Sequence, residues 1–312
     1  MTIETFDLDL PHGITLSCRA CGPAAAPRLV FLHGFPEGAF IWDEVMLRLA
    51  ERFRCIAPNL RGYERSTAPT EVSAYRAKHL IADIGALIEQ IELSAADGES
   101  EPLAALVAHD WGGALAWNLA VQRPELMRRL IIINSPHPGT FLRELQSNPA
   151  QQAASAYMNF FCRPDAEALL AADDYARLWP FFTNMGAAWL SDELRARYRA
   201  LWAHGLTGPL NYYRASPLRP PTPQDPAALA VQFAPAFVTV KLPTLVIWGE
   251  GDTALPPSLL DGLEQFVLQL QLQRVPAATH WIVHEQPELI ADAVLAFADQ
   301  PPPLQSPLTA GQ

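Results

Sequence analysis

The segment AALVAHDWGGALAWNLA, residues 104–120, most constrains what this chain can become. It opens as a continuous apolar run of strand character and continues as a helical run rich in small residues. His109, Asp110 and Trp111 sit at the junction. A tight strand-to-helix turn that lifts one side chain clear of a sheet needs small neighbours, so that backbone can pass close by. Ala108 stands two positions before Asp110, and Gly112 and Gly113 stand two and three after it. The simpler reading is that Asp110 only caps the following helix, as aspartate commonly does. Capping alone requires neither the paired glycines nor the partner segments that lie elsewhere in the chain.

Strand and helix signals alternate around this corner. RLVFLHG (28–34), FRCIAPNL (53–60), LAALVAH (103–109) and RLIIIN (129–134) read as buried strands. GAFIWDEVMLRLAERF (38–53), AYRAKHLIADIGALIEQI (74–91) and GGALAWNLAVQRP (112–124) read as helices between them. Near-continuous apolar strands separated by helices predict an α/β fold: a mostly parallel sheet with helices on both faces. After Asn134 the texture changes, and helical segments rich in Ala, Trp, Tyr and Phe run to about Pro243. Alternation then resumes with LPTLVIWGEGD (242–252), LQLQRVPAATH (270–280) and a helix over 287–298. The expected organisation is a core of 1–137 and 238–298, with an inserted helical cap and return linker over 138–237. The proline-rich stretch SPLRPPTPQDPAA (216–228) marks that linker, and residues 299–312 are expected to be a disordered tail.

Composition narrows the partners. The net charge of -11 leaves no basic patch to neutralise phosphates, which argues against nucleic acid. No apolar run reaches the length of a membrane span, and the opening residues lack the pattern of a secretory signal. A soluble, cytoplasmic protein with no cofactor and no metal site is expected. Cys18 and Cys21 form a C-x-x-C, but no second such pair completes a zinc site and no helix follows to activate a thiol. They read as structural. Oligomeric state is left open.

Three further segments bear on Asp110. In α/β folds that carry a nucleophile on such a turn, the chain order is nucleophile, acid, histidine. WGEGD places Asp252, and ATHW places His280, in that order and each after a predicted strand. His284 lies four residues beyond His280, and the two as a metal pair would lack a third ligand nearby. His33-Gly34-Phe35-Pro36 follows the first buried parallel strand, where the Phe35 N–H can donate to an oxyanion; the Trp111 N–H is the second candidate. His33 is expected to brace that loop, and His109 to pack behind the turn.

HGFPEG, RGYERS, HDWGG, WGEGD and ATHW, in this order and spacing, resemble the α/β-hydrolase superfamily. Aspartate at the turn points to its epoxide hydrolase and haloalkane dehalogenase branch. The resemblance covers nearly the whole chain apart from the tail. Glu64 replaces a glycine and Asn59 an aspartate that are frequent in the family, and both positions bear on loop conformation. The implied chemistry is attack by Asp110 on an alkyl carbon, giving an ester. Water activated by His280, which Asp252 orients, then hydrolyses that ester.

The resemblance also supplies proton donors for an epoxide oxygen. SAYMNFFCRP (155–164) and LNYYRAS (210–216) resemble the cap segments that carry two tyrosines, here Tyr157 and Tyr213. The expected substrate is a small apolar epoxide, opened to a vicinal diol. Trp111, Phe35 and Trp189 are expected at its pocket, with Phe160, Phe161, Phe181, Phe182 and Trp179 as further lining candidates. The alternative is an alkyl halide, for a haloalkane or haloacid dehalogenase with the same Asp-His-Asp set. Phe35 stands where that branch often has Asn, while Trp111, Trp179, Trp189 and Trp202 could supply indole donors. A third reading is a ligand-binding protein of this fold without chemistry.

Overall fold

The computed structural model describes residues 1–93 and 101–300, and its centre is one eight-stranded sheet in the order β1-β2-β4-β3-β5-β6-β7-β8. The strands are β1 (Glu4–Asp9), β2 (Thr15–Cys21), β3 (Arg28–Leu32), β4 (Arg54–Pro58), β5 (Ala105–His109), β6 (Leu130–Ile133), β7 (Val240–Gly249) and β8 (Val267–Val275). From β4 to β8 every pairing is parallel, while β1 and β2 run antiparallel to their neighbours. This is the α/β-hydrolase fold. The four central strands β3 to β6 are fully apolar over most of their length because helices cover both faces.

Helices α1 (Asp43–Leu49), α2 (Ala77–Leu93) and α3 (Asp110–Gln122) follow the early parallel strands. Between β6 and β7 the chain is helical: α4 (Pro138–Ser147), α5 (Pro149–Ala154), α6 (Ala156–Phe161), α7 (Ala166–Tyr175), α8 (Trp179–Thr183), α9 (Asp192–Trp202), α10 (Thr207–Ala215) and α11 (Ala227–Ala230). α12 (Ile282–Glu285) and α13 (Pro287–Ala298) close the fold. The proline-rich segment expected as a linker carries no helix until α11 starts at Ala227. Residues 301–312 of the expected tail lie outside the described residues.

Two apolar layers sandwich the sheet. Residues alternate between them along each strand, as the two-residue period of a strand requires. Cys18 belongs to one layer and Cys21 to the other, so the C-x-x-C does not bring its thiols together; Cys21 instead faces Cys55 across the β2–β4 pair. β8 departs from the buried pattern. It is an edge strand whose Leu268 and Leu272 are exposed, and its alternation of Leu and Gln reflects that position.

The eight interposed helices hold to the sheet side through specific hydrogen bonds. The Trp202 indole donates to the Pro36 carbonyl at 2.7 Å, Tyr212 donates to Arg61 O at 3.0 Å, and the Trp281 indole donates to Phe181 O at 3.0 Å. Arg197 pairs with Asp43 at 2.7 Å and lies over the Phe40 ring. The three hydrogen bonds give partners to polar atoms that the interface covers.

The turn at Asp110 depends on its glycines. Asp110 has φ of 49°, a left-handed conformation unusual for a residue other than glycine. A Cβ on Gly112 would stand 2.5 Å from the Leu32 carbonyl oxygen, and one on Gly113 would stand 2.3 Å from the Ser135 Cβ. α3 therefore packs backbone-to-backbone against the end of β3, and against the Ser135 side chain just beyond β6. Gly112→Ala should cost about 1–3 kcal/mol of stability through overpacking. Urea unfolding of the two proteins measures it, and an unchanged midpoint would show that the approach is not tight.

Candidate active site

The loops at the carboxyl ends of five strands build the site. Phe35 follows β3, Asp110 follows β5, Asn134 follows β6, Asp252 follows β7 and His280 follows β8. In a parallel sheet these ends lie together, which is where ligands bind in open α/β folds.

His280 stands between two carboxylates. Its Nδ1 lies 2.7 Å from Asp252 Oδ2, and its Nε2 lies 3.8 Å from Asp110 Oδ2. The first is a charge-assisted hydrogen bond; the second is too long for a hydrogen bond. Asp252 is fixed on every side. Its Oδ1 accepts the Ala254 and Leu255 N–H groups at 2.9 and 2.8 Å, and its Oδ2 also accepts Asn134 Nδ2 at 2.9 Å. Burial, the largest single influence on His280, disfavours its charged form. Asp252, Asp110 and Glu37 together outweigh burial and raise the imidazole to about 9.

The Phe35 N–H donates to Asp110 Oδ1 at 2.7 Å. Gly34 makes this approach possible, because a Cβ there would stand 2.1 Å from that same oxygen. Ser135 secures the turn from the other side, its hydroxyl donating to the Asp110 carbonyl at 2.7 Å. Trp111 is in the first turn of α3, where amide N–H groups have no partner within the helix. His33 lies behind the loop: Nε2 accepts the Leu60 N–H at 3.0 Å and Nδ1 is 3.0 Å from Gly34 O. These contacts match a single neutral tautomer, and burial lowers its pKa to about 4. His109 packs behind the turn with Nε2 2.9 Å from the His280 carbonyl.

A cavity of about 80 Å³ opens onto the Asp110 carboxylate. Tyr157 and Tyr213, from α6 and α10, line it together with Trp111. Burial, the largest influence, and nearby negative groups push both phenols up, well above 10 for Tyr213. Both therefore keep their protons at neutral pH and can donate them in hydrogen bonds.

The aromatic lining differs from expectation. The cavity takes its apolar wall from Phe141, Met158, Leu218 and Leu255. Trp189 is not part of it: its ring stacks on His284, with centroids 4.2 Å apart and planes 3° from parallel. The Phe35 ring packs instead against Phe161 and Tyr213, at 4.8 and 5.3 Å, and only its amide faces Asp110. Phe182 and Trp179 pack with Tyr198 and Trp202. The helices between β6 and β7 need an apolar core of their own, and those aromatics fill it. Composition identifies such residues but not which face of a short helix carries them.

Two groups escaped the sequence reading. Asn134 ties the ends of β6 and β7 by accepting the Gly249 N–H at 2.8 Å while donating to Asp252. Glu37 is fully buried and gathers His284 Nε2 at 2.8 Å, the Tyr198 hydroxyl at 2.6 Å and His109 Nδ1 at 3.4 Å. Burial acts most strongly on Glu37 and favours its neutral form, but the neighbouring His109 and His284 overcome this and hold it below the usual carboxylate range. His280 and His284 thus serve different carboxylates. A glutamate inside HGFPEG gave a signal, yet nothing local revealed its distant partners.

A family model described as alpha/beta hydrolase fold matches residues 27–287, and the chain belongs to that family, on its epoxide hydrolase-like branch. It is 36% identical over 292 residues to the AB hydrolase superfamily protein YfhM of Bacillus subtilis, covering 92% of this chain and 95% of that one. Among solved structures it is similar to an epoxide hydrolase from metagenomes of hot environments, at 37% identity, a TM-score of 0.84, and coverage of 95% and 99% of the two chains. An epoxide hydrolase of Bacillus megaterium, solved with an inhibitor, gives 29% identity and a TM-score of 0.84 over 95% of this chain and all of that one.

The raised pKa of His280 has a consequence for stability. A group raised in the folded state stabilises it fully below its unfolded pKa, about 6.5, and that contribution is lost as pH rises toward about 9. Asp252→Asn removes the negative charge and leaves burial, so His280 should titrate far below about 9. Histidine NMR titration checks this, and an unchanged value would show that Asp252 does not set the shift.

Proposed function

We propose that this enzyme hydrolyses small apolar epoxides to vicinal diols through an ester on Asp110. The observation that carries the reading is the convergence of Asp110, Tyr157 and Tyr213 on one cavity with His280 behind the carboxylate. Residues 138–237 act as the cap and return linker on a core of 1–137 and 238–298.

In the first step an Asp110 oxygen attacks a ring carbon and the C–O bond breaks. The developing alkoxide takes hydrogen bonds, then a proton, from the tyrosine pair. In the second step water attacks the ester carbonyl, and its proton goes to His280. The Phe35 and Trp111 amides donate to the oxyanion; on its collapse the His280 proton passes to the departing diol oxygen, and the remaining carboxyl proton returns to the tyrosine, which restores the Asp110 carboxylate.

The charge on Asp110 links the two steps. Before ester formation, Asp110 and Asp252 both favour imidazolium. Alkylation neutralises Asp110, and His280 then loses part of the attraction that raised its pKa. It becomes a better base when water must be activated. Ester hydrolysis in single turnovers should therefore depend on a pKa below about 9, the value for the free site. A pH profile governed by a pKa at or above about 9 would oppose this coupling.

The halide reading receives less support. The Trp179 indole donates to Asp174 O, Trp202 donates to Pro36 O, and Trp189 is stacked on His284. None of the three lines the cavity at Asp110, which leaves Trp111 as the indole there. A binding role without chemistry would leave the 2.7 Å His280–Asp252 bond and the tyrosine pair without a purpose.

The test is diol formation from a panel of aryl and alkyl epoxides, with Asp110→Ala as the blank. Diol from the parent protein alone is expected; halide release from alkyl halides without diol formation would overturn the proposal. His280→Gln should form ester and fail to hydrolyse it, visible as added mass on the intact protein. Tyr157→Phe or Tyr213→Phe should slow ring opening by about 10²-fold, the scale of one acid–base contribution.

A further inference from the structure

The cavity at Asp110 is too small for most of an apolar substrate. At about 80 Å³ it falls below the roughly 150 Å³ of an apolar cavity that accepts benzene. A second cavity of about 430 Å³ lies directly beside it. The two share Trp111, Ala114, Ser216 and Leu218 as a common wall.

The floor of the second cavity is one face of α3. Ala114, Asn118 and Gln122 line it at successive four-residue steps, running away from the nucleophile. Eight residues of helix give about 12 Å of length from Ala114 to Gln122. The roof comes from α10 and from the segment containing Gln232 and Phe237. Gln122 and Gln232 are both exposed, so the far end opens toward solvent between two neutral amides. Among the described residues, no Lys, Arg or His lines either cavity, so none of them is placed to receive a carboxylate.

We infer that the two cavities form one elongated binding site joined at Ala114, and that the preferred substrate is an epoxide on an extended, uncharged apolar chain. This rests on the proposed reaction for the position of the epoxide ring. The ring sits at Asp110, and the chain passes the methyl side of Ala114 and lies along α3. The length accommodates about nine carbons beyond the neck. Ala114 is the specificity determinant because any larger side chain on that face of α3 narrows the junction.

The test compares the terminal epoxides of butane, octane and decane in the parent protein, Ala114→Leu and Ala215→Phe. Ala114→Leu fills the neck, whereas Ala215→Phe fills the outer cavity from α10. Each buried methylene strengthens binding by about three- to fourfold, so kcat/KM should rise at least about tenfold from butane to octane epoxide in the parent. Both variants should flatten that rise. Turnover of all three epoxides without a rise, or an equal rise in both variants, overturns the inference and leaves the reaction standing. The corresponding diols, titrated by calorimetry, give the same comparison without chemistry. If no epoxide is turned over, yet affinity rises with chain length in the parent and flattens in the variants, the reaction fails and the elongated site stands. If the diols too show no dependence on length, the elongated site fails with it.

Discussion

Asp110 stands at the head of the parallel sheet because the chain turns there from strand to helix within one residue, with φ of 49°. The surrounding structure holds this conformation in place. Gly112 and Gly113 let α3 close on Leu32, His33 and Ser135, the Ser135 hydroxyl takes the Asp110 carbonyl, and the Phe35 N–H takes its carboxylate. These contacts come from the ends of β3 and β6, the strands on either side of β5. The position of the carboxylate is thus a property of three adjacent strands, and the apolar β3, β5 and β6 supply the rigidity on which it depends.

The electrostatics follow from that geometry. His280 is buried, and burial alone would keep it neutral; Asp252 at 2.7 Å and Asp110 at 3.8 Å reverse the preference. One of these carboxylates is permanent, anchored by Asn134 and two backbone amides. The other is consumed and regenerated in the proposed cycle. A single imidazole can therefore be cationic in the resting site and basic in the ester without any movement of the fold.

Fold and site were legible in the sequence to different depths. The strand ends could be read because buried parallel strands are continuous apolar runs, and because Asp110 follows β5 directly. β8 was harder, since an edge strand alternates Leu with Gln and its expected end at His280 gave way to a loop after Val275. Expecting Trp189 at the pocket reflected a limit of composition. Aromatic residues between β6 and β7 are divided between a cavity wall and a core, and Trp189 stacks on His284 instead. Glu37, His284 and Tyr198 meet across separations that no local pattern encodes. The same holds for Asn134, whose role appears only when β6 and β7 lie side by side.

The central claim is that an Asp110 oxygen, and not water, makes the first bond to the substrate. Single-turnover reaction in water labelled with oxygen-18, with enzyme in excess, tests this directly. The ester route delivers a carboxylate oxygen to the diol, so the first diol should be unlabelled and the Asp110 peptide should gain the label. A labelled first diol with an unlabelled Asp110 peptide would mean that water attacks the epoxide itself, and would contradict the account.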